Sequence, residues 1–227
     1  MLTPWVLTFD LPPLPLPFWG WLAVLLPLEL IAMLLYMRAI RDHPLALTVP
    51  YLAFTPVLVV ITGQIVLGET VSGIGLMGIL LVVAGSWLLN FEQASRLTPA
   101  TLLAPLRAIV VNPGSRLMLI TAAIYALTSV GGKAAMAWMP PEQFGAFYFA
   151  LLGTLTLVMV AITKPSALRV SRYGGLPIFV VAVFMAIMVV AHFMALAQVE
   201  AAYMIAVKRS SLLFGMLYGA ILFGERH

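Results

Sequence analysis

Apolar residues in this chain come in long unbroken runs rather than in the spaced stripes of soluble amphipathic helices. Seven runs have about the 20 residues that a helix needs to cross a hydrocarbon core about 30 Å thick. They fall at 18–40, 45–67, 71–90, 116–138, 142–163, 174–197 and 201–223. A transmembrane barrel alternates polar and apolar side chains along each strand, and these runs do not. Helices satisfy their own backbone hydrogen bonds in lipid. The pattern predicts an all-α membrane protein, a polytopic bundle of about seven transmembrane helices.

The intervening segments sharpen the picture. Residues 91–115 hold Pro99, Pro105 and Pro113 with Arg96 and Arg107, which predicts a connecting loop carrying a short surface helix. The first 17 residues have no basic leader, since no Lys or Arg precedes Arg38. Pro4, Pro12, Pro13, Pro15 and Pro17 favour an extended chain there. This is not a cleaved signal. It reads as a loop between two membrane helices.

Composition agrees with the runs. Hydrophobic residues make up 63% of the chain and charged residues 9%, against about 25% charged in soluble domains. There is no cysteine, so disulfides and thiolate metal sites are excluded. Alternating the loops across the membrane puts Arg38, Arg41, Arg96, Arg107, Arg116, Lys164, Arg169, Arg172 and Arg226 on one side. The other side's loops receive none. The positive-inside rule makes the basic side cytoplasmic, with residue 1 outside and residue 227 inside, in what reads as a bacterial inner membrane.

The chain also repeats itself. Shifted by 156 positions, residues 36–69 fall on 192–225 without a gap. Ala39 meets Ala195, Ala46 meets Ala202, Gly63 meets Gly219 and Ile65 meets Ile221. Gly68-Glu69 meets Gly224-Glu225, so both copies end an apolar helix on Gly-Glu. By the helix count the copies cross the membrane in opposite directions, the inverted repeat on which alternating-access transporters are built.

The stretches PLALTVPYLAFTPVLVVITGQIVLGETVSGIGLMGILLVVAGSWLL and ALAQVEAAYMIAVKRSSLLFGMLYGAILFGE resemble EamA-like members of the drug/metabolite transporter superfamily. The first resembles the region of helices three to five, the second the matching region of the other half. The resemblance implies ten helices in two inverted five-helix repeats and export or import of small metabolites. On that pattern residues 1–90 are an incomplete first repeat, 91–115 the connecting loop, and 116–227 an incomplete second repeat. Two helices at the front and one at the back are then missing. The expectation is a fragment or incomplete gene model with Met1 an internal methionine, and the alternative is a natural seven-helix variant.

Ionisable groups inside the membrane cost on the order of 2.5–3.5 kcal/mol each, so they mark candidate sites. Lys208 shares a helical stripe with Ser211, Gly215 and Gly219, small residues suited to close helix packing. Facing inward, it attracts an anionic or carboxylate-bearing substrate; facing outward, it snorkels or pairs structurally. Arg209, on another face, is the second candidate cation. Glu29 is the expected charge partner or proton-coupling group, and His192 is either a proton relay or a packing residue. Lys133 reads as snorkelling. Tyr203, Tyr218 and Gln64 either line a cavity or pack between helices. Pro50 and Pro56 kink the second run.

Other functions find less support. No metal-ligand spacing, phosphate loop or nucleophile with a base is present, so no catalytic residue, metal or cofactor is predicted. The 13 methionines read as adaptable packing. The mild positive charge is explained by orientation, so nucleic acid is not an expected partner. The expected partners are a small-molecule substrate and the bilayer, with a homodimer left open. The function read from sequence is transport of a small metabolite. An intramembrane lipid-modifying enzyme and a non-transporting subunit are the alternatives.

Because the chain lacks cysteine, single cysteines test the orientation cleanly. One placed at 164–172 is expected to resist a membrane-impermeant maleimide in intact cells, while one at position 10 reacts. The reverse labelling pattern overturns the orientation.

Overall fold

A computed structural model of the chain describes residues 6–9, 13–44, 48–88, 111–168, 175–211 and 221. Seven α-helices follow one another in it: α1 Leu16–Asp42, α2 Thr55–Leu67, α3 Gly73–Leu88, α4 Pro113–Ala135, α5 Pro141–Thr163, α6 Gly175–Gln198 and α7 Ala201–Arg209. A 3-10 helix, Val49–Phe54, leads into α2, and a shorter one, Met136–Trp138, extends α4. No strand occurs among the described residues.

Among the described residues five stretches are long and apolar enough to cross a membrane: Leu16–Asp42, Val49–Leu67, Pro113–Trp138, Pro141–Thr163 and Gly175–Gln198. The third and seventh expected spans are described over less. α3 covers 16 residues, about 24 Å at 1.5 Å per residue, and α7 covers 9. The rest of the seventh run, with Tyr218, Gly215 and Gly219, lies outside the described residues. So do most of the expected loop at 91–115 and the Gly224-Glu225 end of the second copy. The outward side chains suit a bilayer. On α6, Leu176, Ile178, Phe179, Val181, Phe184 and Ile187 are all exposed, an apolar surface that water would not tolerate.

Local chemistry sets the helix starts. Ser72 caps α3, its hydroxyl accepting from the Gly75 N–H at 3.1 Å. Asn112 caps α4 through the Gly114 N–H at 2.9 Å, with Pro113 in the first turn where no donor is missed. That places the start of α4 inside the segment expected to be loop up to residue 115. Threonines facing the apolar surroundings bond carbonyls of their own helix: Thr121 to Leu117, Thr156 to Leu152 and Thr163 to Met159. No hydroxyl of this set needs water.

The chain divides into two compact units, Met1–Leu30 with Gly131–Val199, and Ile31–Val130 with Glu200–His227. The first is held by interlocked rings. Phe18 meets Trp138, Phe144 and Phe147, and Phe144 meets Phe193 edge-on at 5.2 Å. Glycines admit these side chains: a Cβ on Gly145 would stand 2.7 Å from the Phe193 ring, and one on Gly131 2.6 Å from Leu25. In the second unit Ala39, Tyr51, Leu52, Met118 and Ala122 form the core, with Tyr36, Leu58 and Tyr125 against it.

Gly145→Ala should destabilise the fold by about 1–3 kcal/mol, because Phe193 is buried and cannot move aside. Gly153→Ala, where a Cβ meets nothing within 4 Å, should stabilise it by about 0.5–1 kcal/mol. Unfolding by sodium dodecyl sulfate in mixed micelles measures both. Equal effects at the two glycines would show that α5 and α6 do not approach at Gly145.

Candidate functional site

The polar groups of the second unit gather where α2 begins. In an α-helix the N–H of residue 56 would donate to the carbonyl of Leu52, but Pro56 has none. The Thr55 hydroxyl substitutes for it, donating to the Leu52 carbonyl at 2.6 Å. The same carbonyl accepts the Thr55 N–H, the tighter bonding that makes Val49–Phe54 a 3-10 turn. With its proton committed to Leu52, the buried Thr55 hydroxyl presents lone pairs to its surroundings. Arg209 takes one, its Nη2 donating to Thr55 Oγ1 at 2.7 Å.

Arg209 reaches this point because of the apolar face of α7. Ala201, Ala202, Ile205 and Ala206 are the buried residues of that helix. At about 100° per residue they cover one arc, and Arg209 falls near its middle. Its guanidinium interacts electrostatically with the phenols of Tyr36 on α1 and Tyr125 on α4. Tyr51 and Ser115 share a hydrogen bond in the same unit. The Arg209 Nε is buried and has no hydrogen-bond partner among the described residues. Among the described residues no carboxylate pairs with Arg209, whereas Arg41 and Asp42 form an exposed ion pair.

This arrangement has a definite chemistry. A guanidinium offers five N–H donors in a planar fork. Thr55 occupies one, and the buried Nε–H still lacks an acceptor. A buried donor without a partner costs about 1–3 kcal/mol, more when charged, and an oxyanion removes that cost through a charge-assisted bond.

The other candidate residues are placed differently. Lys208 is exposed, the outward of the two orientations left open for it, because it stands at about a right angle to the middle of the buried arc. Ser211 is exposed too. Gln64 is exposed, and its backbone carbonyl accepts the Gly68 N–H. Tyr203 is tied to the start of α3: its hydroxyl accepts the Ser72 N–H at 3.0 Å and lies 3.2 Å from the Ser72 hydroxyl. Glycine at position 75 leaves room for that ring. Lys133 donates to the Val199 carbonyl rather than only snorkelling.

Glu29 and His192 belong to the first unit, and Arg209 to the second. Glu29 is half-buried and interacts electrostatically with Tyr148, whose buried hydroxyl has no hydrogen-bond partner among the described residues. His192 is half-buried and meets Phe193 edge-on at 5.0 Å. Thr55, Tyr36, Tyr125 and Tyr148 were not among the sequence candidates. The Thr-Pro pair at 55–56 was the available signal for the first. No comparable signal marks the three tyrosines.

The model of the EamA-like transporter family matches residues 1–91. No curated protein and no solved structure matched the chain. The matched portion contains Tyr36, the 3-10 turn, Thr55 and Glu69, but not Arg209.

Thr55→Val removes the acceptor of Arg209 and the donor to Leu52 at constant shape. The expected loss is about 1–3 kcal/mol, with Thr55→Ser keeping most of the native stability. The double mutant with Arg209→Met should show a coupling energy of at least about 0.5 kcal/mol. Strict additivity in micellar unfolding would show that the two side chains do not meet.

Proposed function

We propose that the protein carries a small anionic, carboxylate-bearing metabolite across a bacterial inner membrane by alternating access. The observation that carries this reading is the part-buried Arg209, whose buried Nε–H has no acceptor among the described residues, set in a chain whose first 91 residues match a transporter family. Helices long and apolar enough to span the membrane support it. α2 and α7 run antiparallel, with Ala201 near Gly63 towards the end of α2 and Arg209 at its start. Arg209 then supplies the charge that holds the substrate, with Tyr36 and Tyr125 as polar neighbours. Lys208, one residue earlier and exposed, plays no part in holding it. Glu29, beside Tyr148, is the candidate for coupling to protons.

Counterflow in proteoliposomes tests this reading with labelled mono- and dicarboxylates, inorganic phosphate, a neutral sugar and an organic cation. Carboxylates should exchange, and Arg209→Met should lower their exchange by at least ~30-fold, the equivalent of about 2 kcal/mol for a lost charge-assisted pair. Lys208→Met should stay within about five-fold, as for an exposed charge. Exchange of the sugar or the cation alone would overturn the anionic assignment. Loss in Lys208→Met with Arg209→Met unaffected would move the site to Lys208.

A further inference from the structure

We infer that Glu69 is the positioning residue for Arg209: it fixes how far along α2 the helix α7 sits. The first N–H of α7, that of Ala201, does not bond a side chain next to it in sequence. Glu200 precedes it without a side-chain cap, and Glu69 supplies the acceptor instead, its Oε2 lying 2.9 Å from the Ala201 nitrogen. A carboxylate suits that place, because the N-terminal end of a helix carries partial positive charge.

Glu69 reaches it by folding back along its own helix. Gly68 turns the chain with a left-handed φ of 68°, and the Glu69 N–H donates to the Gly63 carbonyl at 3.2 Å. The carboxylate then lies over position 63, where a Cβ would stand 3.1 Å from Oε2. Gly63, Gly68 and Glu69 thus form one device that sets a carboxylate at the level of residue 63.

From that level the two helices run eight residues in opposite directions to the second fastening. Thr55 is eight residues before Gly63, and Arg209 is eight residues after Ala201. At 1.5 Å per residue each arm is about 12 Å. The equal arms are why Arg209 meets Thr55 rather than a position one turn away. Tyr203, bonded to Ser72, adds a third tie beside the first. Glu69 touches no substrate in this scheme; it acts through Arg209.

Nitroxide labels on cysteines replacing the exposed Gln64 and Val207 report the register by double electron–electron resonance in nanodiscs. The native chain and Glu69→Gln, which keeps a side-chain carbonyl acceptor, should give one narrow distance. Glu69→Ala should shift or broaden it by about one helical turn, ~5 Å. Glu69→Asp, charged but one methylene shorter, should do the same and serves where the alanine variant does not fold. A distribution unchanged in both would overturn the inference. Benzoate binding is the second readout and rests on the proposed substrate class: it should fall at least ~10-fold in Glu69→Asp and be retained in Glu69→Gln. A shifted distance with unaltered benzoate affinity would reduce Glu69 to a structural cap and overturn its positioning role. Absence of benzoate binding in the native chain would count against the substrate class, while the distance measurement still decides the register.

Discussion

In hydrocarbon a backbone N–H or C=O must find its partner inside the protein, and each failure costs several kcal/mol. The polar architecture of the second unit follows from two places where a helix cannot meet that demand alone. At Pro56 the ladder lacks a donor, and the Thr55 hydroxyl fills it by bonding Leu52. At Ala201 the helix begins with an N–H that has no preceding carbonyl in reach, and Glu69 accepts it. Each repair leaves a polar group fixed in direction. Thr55 becomes an acceptor aimed at Arg209, and Glu69 becomes an anchor for the helix that carries Arg209.

Charge is treated in two contrasting ways. Arg41 and Asp42 are adjacent and exposed at the end of α1, forming a pair of the kind that contributes little. Arg209 is held by a neutral hydroxyl, that of Thr55, with no carboxylate on it among the described residues. A carboxylate there would satisfy the cation permanently and compete with any anionic ligand. On the proposed reading, an Nε–H without a partner among the described residues makes the fold less stable at that point, and an oxyanion substrate returns the missing interaction. Binding free energy is concentrated in that difference between the empty and occupied states.

How much of this was legible in the sequence depends on the range of the interaction. The apolar runs were readable because bilayer thickness dictates their length, and the helices at 18–40, 142–163 and 174–197 lie within one or two residues of the described ends. The start of α4 was placed late because Asn112-Pro113 was read as loop chemistry, although the same pair is a helix-starting signal. Lys208 was preferred to Arg209 from its alignment with distant small residues, whereas Ala201, Ala202, Ile205 and Ala206 define the buried face nearby. Thr55 and Glu69 were beyond reach of local reasoning. Their partners stand 154 and 132 positions away, and only the folded chain brings them together. Gly-Glu was visible as the mark of a repeat, but its task was not.

Polar fastenings matter more here than in a soluble bundle because apolar helix contacts in lipid discriminate poorly. Lipid tails are as apolar as leucine, so sliding one helix along another changes little hydrophobic free energy. Interlocked rings can resist sliding, as Phe144 and Phe193 do across Gly145 in the first unit. Along α2 and α7 the described buried residues of α7 are mostly alanine, and alanines leave a smooth face. Register then rests on the hydrogen bonds at either end, from Ala201 to Glu69 and from Arg209 to Thr55. Such bonds are made at one register and absent half a turn away. Bonds of that kind favour discrete registers over gradual sliding, because a small displacement breaks them without offering new partners.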